Sequence, residues 1–181
     1  YLKELPRATK RITGMALSIS GRPAIVLGFA SPQHSRQLFV LAHELGHILR
    51  GHLGEDGVLI DEDIAEIADT LIDMKTQRKD TEEREADTFA LALIRNEYLN
   101  PLAAMGRLNS PTALAARAAV LGKELGIEAG HLILSYAKEH NEWARANQAL
   151  EYSPSQKSAI DVIGMHFRKG VELEALSQEN Q

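Results

Sequence analysis

Cysteine is absent from the 181 residues, which excludes a disulfide-stapled scaffold and any metal site built on thiolates. Long apolar runs are also missing, since the longest lies around AIVLGFA, far short of the ~20 residues that a membrane-spanning helix needs. The first thirty residues lack the layout of a secretory signal peptide. We therefore expect a soluble, cytoplasmic protein with no membrane partner. Because the chain begins with Tyr1, we also expect it to be part of a longer protein.

The net charge of −5 is unevenly distributed along the chain. Residues 1–23 carry five basic residues against one glutamate, whereas residues 55–73 carry eight acidic residues and no basic one. An acidic run of this kind is usually a solvated helix face, and the basic start is too sparse to indicate a nucleic-acid site.

One hairpin and several amphipathic helices are the elements that the sequence predicts. ITGMALSI and AIVLGF flank the turn residues SGRP, which is typical of a β-hairpin. Apolar spacing predicts helices over residues 61–73 and 81–98. Three Ser-Pro pairs are typical of helix starts, with serine as the cap and proline at the first helical position: Ser31-Pro32, Ser110-Pro111 and Ser153-Pro154.

The apolar run VLAHELGHILRGH, residues 40–52, contains three polar residues that a helix brings together. Residues four apart lie only about 40° apart around a helix, so His43 and His47 project side by side and can grip one ion. Glu44 lies about 100° from His43, close enough to reach a water on that ion rather than the ion itself. This HExxH pattern is typical of zinc sites in which the glutamate takes a proton from the attacking water.

The alternative is a core helix with incidental histidines. Apolar residues surround almost the whole helix, and three unpaired polar groups buried among them would cost several kcal/mol. We therefore favour a metal site.

A catalytic zinc site also needs a third protein ligand and an open position. The metzincin spacing HExxHxxGxxH would require glycine at position 50 and histidine at position 53, where this chain has Arg50 and Leu53. His52 is out of register for that role, and we interpret it as a helix-end or surface histidine.

The carboxylates of TEEREADTFALAL are the other candidates for the third ligand. Relative to the apolar face of this helix, Glu82 and Glu83 both fall about 50° from the centre, while Glu85 points away. Asp87 follows Glu83 by one turn and can orient a liganding histidine, so we favour Glu83. The alternative is that these acids stabilise a helix N-terminus, with Asp80 and Glu83 as a capping pair.

The segments SRQLFVLAHELGHILRGH and EEREADTFALAL together resemble the ImmA/IrrE family of zinc metallopeptidases, over roughly residues 1–100. The resemblance implies a gluzincin-like site in which His43, His47 and Glu83 match the zinc ligands and Glu44 matches the base. It also implies a cytoplasmic protein of transcription regulation and stress response, which inactivates a helix-turn-helix repressor. Two departures from the family pattern, the ending IRNEYLNP and the long acidic stretch between the motifs, leave the choice of substrate open.

We therefore expect an α+β, zincin-like domain over residues 1–100, mostly helical with a small sheet or hairpin. Residues 101–181 are expected to form a helical C-terminal region, with the boundary in the breaker-rich residues 100–111. AVLGKELGIEAGHLILSYAKEH in this region resembles a helix-turn-helix. Its second helix offers only Lys138, against Glu128 and Glu139, which favours packing or partner binding over direct DNA binding.

The function predicted from these residues is zinc-dependent hydrolysis of a peptide bond in a protein or peptide substrate. The strand over residues 24–29 would align an extended peptide by edge pairing. The rival hypothesis is a metal-binding regulator or antirepressor that acts by protein binding without proteolysis, although an intact Glu44 favours an enzyme. Four residues stay open as the oxyanion donor: Tyr98, Tyr136, His131 and Tyr152.

Overall fold

A computed structural model describes residues 13–28, 33–61, 77–95, 100–152 and 158–170. As expected for an α+β fold, the chain is mostly helical and contains one small antiparallel sheet. The strands are β1 (Gly14–Ile19), β2 (Arg22–Leu27) and β3 (Gly57–Asp61). The helices are α1 (His34–Leu49), α2 (Gln77–Arg95), α3 (Pro111–Leu125), α4 (Ala129–His140), α5 (Trp143–Glu151) and α6 (Ala159–Gly170). Within these ranges, no helix combines the length and the apolar character needed to cross a membrane.

The sheet has the strand order β2-β1-β3, so β2 and β3 are its two edges within the described part of the chain. β1 and β2 form the predicted hairpin, whose turn contains Ser20 and Gly21, both at positive φ. The sequence did not predict β3, because its residues belong to the acidic run that we assigned to a solvated helix face. The loop before β3 is tied to the hairpin: Ser18 Oγ and the Gly21 amide both donate to the Glu55 carbonyl, at 3.0 Å each.

The predicted helix starts meet different outcomes. Ser110 caps α3 as predicted, since its hydroxyl accepts a hydrogen bond from the Ala113 amide and Pro111 occupies the first helical position. In the described part of the chain, α1 begins at His34 with the extended Gln33 as its N-cap, two residues after the predicted start. Ser31-Pro32, Ser153-Pro154 and residues 62–73 of the predicted acidic helix lie outside the described residues.

Helices α1 and α2 cross at Gly46, where their backbones approach closely. A Cβ atom at Gly46 would lie 3.0 Å from Ala86 Cα, 3.1 Å from the Ala86 carbonyl oxygen and 3.2 Å from Phe89 Cδ1. Ala42 and Ala90, which are 3% and 0% exposed, continue the contact with small side chains. The crossing therefore packs one face of α1 against the face of α2 that carries Ala86. Residue 83, one helical turn before Ala86, lies on the same face.

The larger core lies among the C-terminal helices, with α4 at its centre. Leu132, Ile133, Tyr136 and Ala137 of this helix have no exposed surface, and α4 packs against α1, α3 and α5.

A hydrogen-bonded cluster ties α2 to α4. Arg95 of α2 donates to His131 Nε2 at 3.1 Å and to Ser135 Oγ at 3.0 Å. Burial, followed by the charge of Arg95, lowers the pKa of His131 to about 4. The ring is therefore neutral at physiological pH and can accept the hydrogen bond from Arg95.

We expect Gly46→Ala to lower the free energy of unfolding by about 1 kcal/mol. Alanine is the better helix former by ~1 kcal/mol, but overpacking at a backbone crossing costs about 1–3 kcal/mol. Gly164→Ala in α6 is the matched control, because the one described atom within 4 Å of a Cβ there is Arg168 Nη2, at 3.7 Å. This control should gain up to ~1 kcal/mol. Urea unfolding measures both variants, and an equal stabilisation of the two would contradict the close crossing.

Candidate metal centre

His43 and His47 lie side by side on the face of α1 that meets α2. Both are buried, with 2% and 1% of their surface exposed. Their Nε2 atoms are 3.1 Å apart. The four-residue spacing therefore directs two imidazole nitrogens at one point, as the helical geometry predicts.

Glu83 on α2 faces the same point. Its Oε2 lies 3.3 Å from His43 Nε2 and 3.7 Å from His47 Nε2. Among the described residues, these three form a group that could hold a metal ion, with ligand atoms all within 4.8 Å of one another. Two imidazole nitrogens and one carboxylate oxygen are a donor set that Zn²⁺ accepts in catalytic sites.

The charge of Glu83 suits this position. Burial raises the pKa of its carboxyl, but hydrogen bonds from His43 and His47 outweigh burial and lower the pKa to about 2. Glu83 is therefore ionised at neutral pH. It also lies well inside α2, which begins at Gln77, so the alternative interpretation of Asp80 and Glu83 as an N-terminal capping pair is wrong.

Asp87 lies one turn beyond Glu83 and contacts the far side of His43. Its Oδ1 is 2.9 Å from His43 Nδ1. A carboxylate accepts, so Nδ1 carries a hydrogen. When His43 loses the Nε2 hydrogen that it donates to Glu83, the lone pair of the neutral ring lies on Nε2, the nitrogen that a metal would use. The contact matches the position that we predicted for Asp87, one turn beyond Glu83 and against a candidate liganding histidine.

Glu44 is held between α1 and the central strand, with 1% of its surface exposed. The space for its carboxylate comes from Gly14 at the start of β1. A Cβ at Gly14 would collide with Glu44 Oε1 and would lie 2.9 Å from Val40 Cγ1. Sequence reasoning missed Gly14, because its role depends on where β1 packs against α1.

His52 follows the end of α1, as predicted, but it is not a surface histidine. Its side chain is 5% exposed, and its Nδ1 lies 2.9 Å from His47 Nδ1. Its Nε2 lies 2.9 Å from Glu85 Oε2. Glu85 points away from the three-residue group, as the helical wheel predicts, and reaches His52 instead. The sequence signal for this contact is Gly51, which adopts a φ of +75° and is followed by a hydrogen bond from the His52 amide to the His47 carbonyl at 3.0 Å.

Two of the described oxyanion candidates are engaged in other hydrogen bonds. The buried Tyr136 hydroxyl bonds to the backbone of Leu108, and His131 bonds to Arg95. Tyr152 lines a groove along α3. Tyr98 lies outside the described residues.

Comparison with known families identifies the chain. The Peptidase M78 family model, described as the IrrE N-terminal-like domain, matches residues 9–120. The chain belongs to this family. Neither the comparison with curated proteins nor that with solved structures gave a match. Membership confirms the resemblance drawn from the HELGH and EREADTFA segments, and supports a metallopeptidase-type function for this M78 protein.

We expect His43→Ala, His47→Ala and Glu83→Ala each to reduce the bound divalent metal well below one ion per chain, because each removes one of three convergent ligand atoms. Glu82→Ala, one position away on the same helix, is the matched control and should retain the metal. Metal analysis after gel filtration measures the stoichiometry. Full occupancy in Glu83→Ala together with loss in Glu82→Ala would assign the third ligand to Glu82.

Proposed function

We propose that this protein is a cytoplasmic, zinc-dependent metallo-endopeptidase that hydrolyses a peptide bond in a protein substrate. The observation that carries the proposal is the convergence of His43, His47 and Glu83, with the buried Glu44 on the same helix as the two histidines. Membership of the M78 peptidase family supports the reaction class.

The metal-binding role belongs to the two histidines and Glu83. His43 and His47 would bind through Nε2 and Glu83 through Oε2, the atoms that face one another across α1 and α2. Bound there, Zn²⁺ would supply Lewis-acid polarisation of the scissile carbonyl and would make the attacking water more acidic. The ionised carboxylate of Glu83 offsets part of the positive charge.

Glu44 is the proposed general base. It is adjacent to His43 in sequence but projects about 100° away around the helix, so it can reach a reacting water without acting as a ligand. Its carboxylate would accept the proton from the attacking water and pass it to the leaving amine. The close approach of Gly14 restricts where that carboxylate can move.

The edge strand β2 is the proposed guide for the substrate. It spans residues 22–27, slightly earlier than the predicted 24–29, and among the described residues it pairs with β1 alone. β2 also packs against α1, the helix that carries Glu44. An extended peptide can add to such an edge through backbone hydrogen bonds, which would align it with the site.

The proposed substrate is a helix-turn-helix repressor. We further propose that residues 1–100 carry the catalytic machinery and that residues 101–181 serve in packing or in binding this partner. The larger core cluster lies wholly within the second segment, while the family match continues to residue 120. α3 therefore bridges the matched region and the C-terminal helices.

We expect Glu44→Gln to bind zinc normally and remain folded, yet to lose peptide cleavage by a factor of at least ~10². Glutamine keeps the size of the side chain and its hydrogen-bonding reach but removes its basicity. The assay incubates wild type and variant with a co-encoded helix-turn-helix repressor and looks for one discrete fragment.

The same pair of proteins separates an enzyme from a binding module. If the protein is a peptidase, the wild type relieves repression in cells and the Glu44→Gln variant does not, although the variant still binds the repressor. Equal relief of repression by both proteins, with no fragment from either, would replace proteolysis by an antirepressor that acts through binding.

A second experiment concerns nucleic acid. We expect the purified chain to bind duplex DNA only weakly at physiological salt. The net charge is −5, and much of α4, the second helix of the helix-turn-helix-like segment, is buried in the core. Electrophoretic mobility shifts over a range of salt concentrations test this. A salt-resistant, sequence-specific shift would make the C-terminal helices a DNA reader.

A further inference from the structure

His52 and Glu85 form a hydrogen-bonded chain that ends on His47. His52 Nδ1 lies 2.9 Å from His47 Nδ1, and His52 Nε2 lies 2.9 Å from Glu85 Oε2. The His52 side chain is 5% exposed and that of Glu85 is 54% exposed. This series of hydrogen bonds therefore runs from the protein surface to Nδ1 of the buried His47.

The carboxylate end sets the direction of the hydrogen bonds. Glu85 can only accept, so His52 Nε2 carries the hydrogen. A neutral His52 then has its lone pair on Nδ1, where it accepts from His47 Nδ1–H. A neutral His47 in turn has its lone pair on Nε2, the atom that faces His43 and Glu83.

We propose that His52 is a positioning residue for the metal site, and that Glu85 anchors it. His52 would fix the ring orientation and the tautomer of His47, as Asp87 would for His43 on the other side of the site. The inference rests on the proposed function, because it assumes that His47 Nε2 binds the metal. Partners of this kind are worth about 10–100-fold in metal affinity.

The backbone around His52 does not depend on its side chain. Gly51 adopts a φ of +75°, and the His52 amide donates to the His47 carbonyl at 3.0 Å. A substitution at position 52 therefore removes the side-chain contact and leaves the turn that presents it. This allows the contact to be tested in a folded protein.

The test compares His52→Leu with His52→Asn, two side chains of similar size. Asparagine can place Oδ1 near the position of the histidine Nδ1 and accept from His47, whereas leucine cannot accept. We expect His52→Leu to lower Zn²⁺ affinity about 10–100-fold and His52→Asn to keep most of it. Glu85→Ala should give a smaller loss, and His166→Ala, on the exposed face of α6, should give none.

Zn²⁺ affinity is measured by competition with a chromophoric chelator, and the visible absorption of Co²⁺ bound in place of Zn²⁺ reports the ligand geometry. We expect His52→Leu to change the Co²⁺ spectrum and His52→Asn to restore it. Wild-type affinity in His52→Leu, or an equal loss in both variants, would overturn the role of His52. The role of His52 can fail while the proposed metal site stands, and this is the case if His47→Ala still loses its metal. Full metal binding by His47→Ala would instead overturn the proposed site.

Discussion

The close crossing of α1 and α2 at Gly46 is the constraint on which the candidate metal site depends. His43 and Glu83 belong to different helices, yet their nearest ligand atoms are 3.3 Å apart. That distance is reached because Ala86 packs directly against the Gly46 backbone, where a Cβ atom would lie 3.0 Å from Ala86 Cα, closer than van der Waals contact. A wider crossing would carry Glu83 away from both imidazoles, so the glycine of HELGH serves the geometry of the site as well as the packing of the helix.

Hydrogen bonds to the Nδ1 atoms of His43 and His47, on the side of each ring away from Glu83, offset the free-energy cost of burying the two imidazoles. An unpaired polar group in an apolar interior costs several kcal/mol, but each imidazole has a partner at Nδ1: Asp87 for His43 and His52 for His47. Both partnerships lead to a carboxylate on α2, one directly and one through His52. α2 thus supplies the third candidate ligand and also the carboxylate at the end of each of these hydrogen-bonded contacts.

In the C-terminal helices, the apolar pattern that resembles a helix-turn-helix forms part of the protein core. The apolar residues that make residues 119–140 look like a helix-turn-helix are the residues that bury α4 in the larger core. Arg95, His131 and Ser135 then join this core to α2 through hydrogen bonds. Because α1 also packs against α4, the helix that carries HExxH is supported on two sides.

The sequence by itself determined the features that depend on neighbours within a few residues. The pairing of His43 with His47 and the Ser110 cap follow from helix geometry, the β1–β2 hairpin follows from its turn residues, and the helical wheel directs Glu83 and Glu85 to different sides. Tertiary structure decided which groups meet across elements: β3 beside β1, Gly14 beside Glu44, and His52 between His47 and Glu85. The physical reason is that periodicity and capping act within one element, whereas these contacts depend on packing and on loop conformations such as that of Gly51, which brings together residues that no helical or strand period relates.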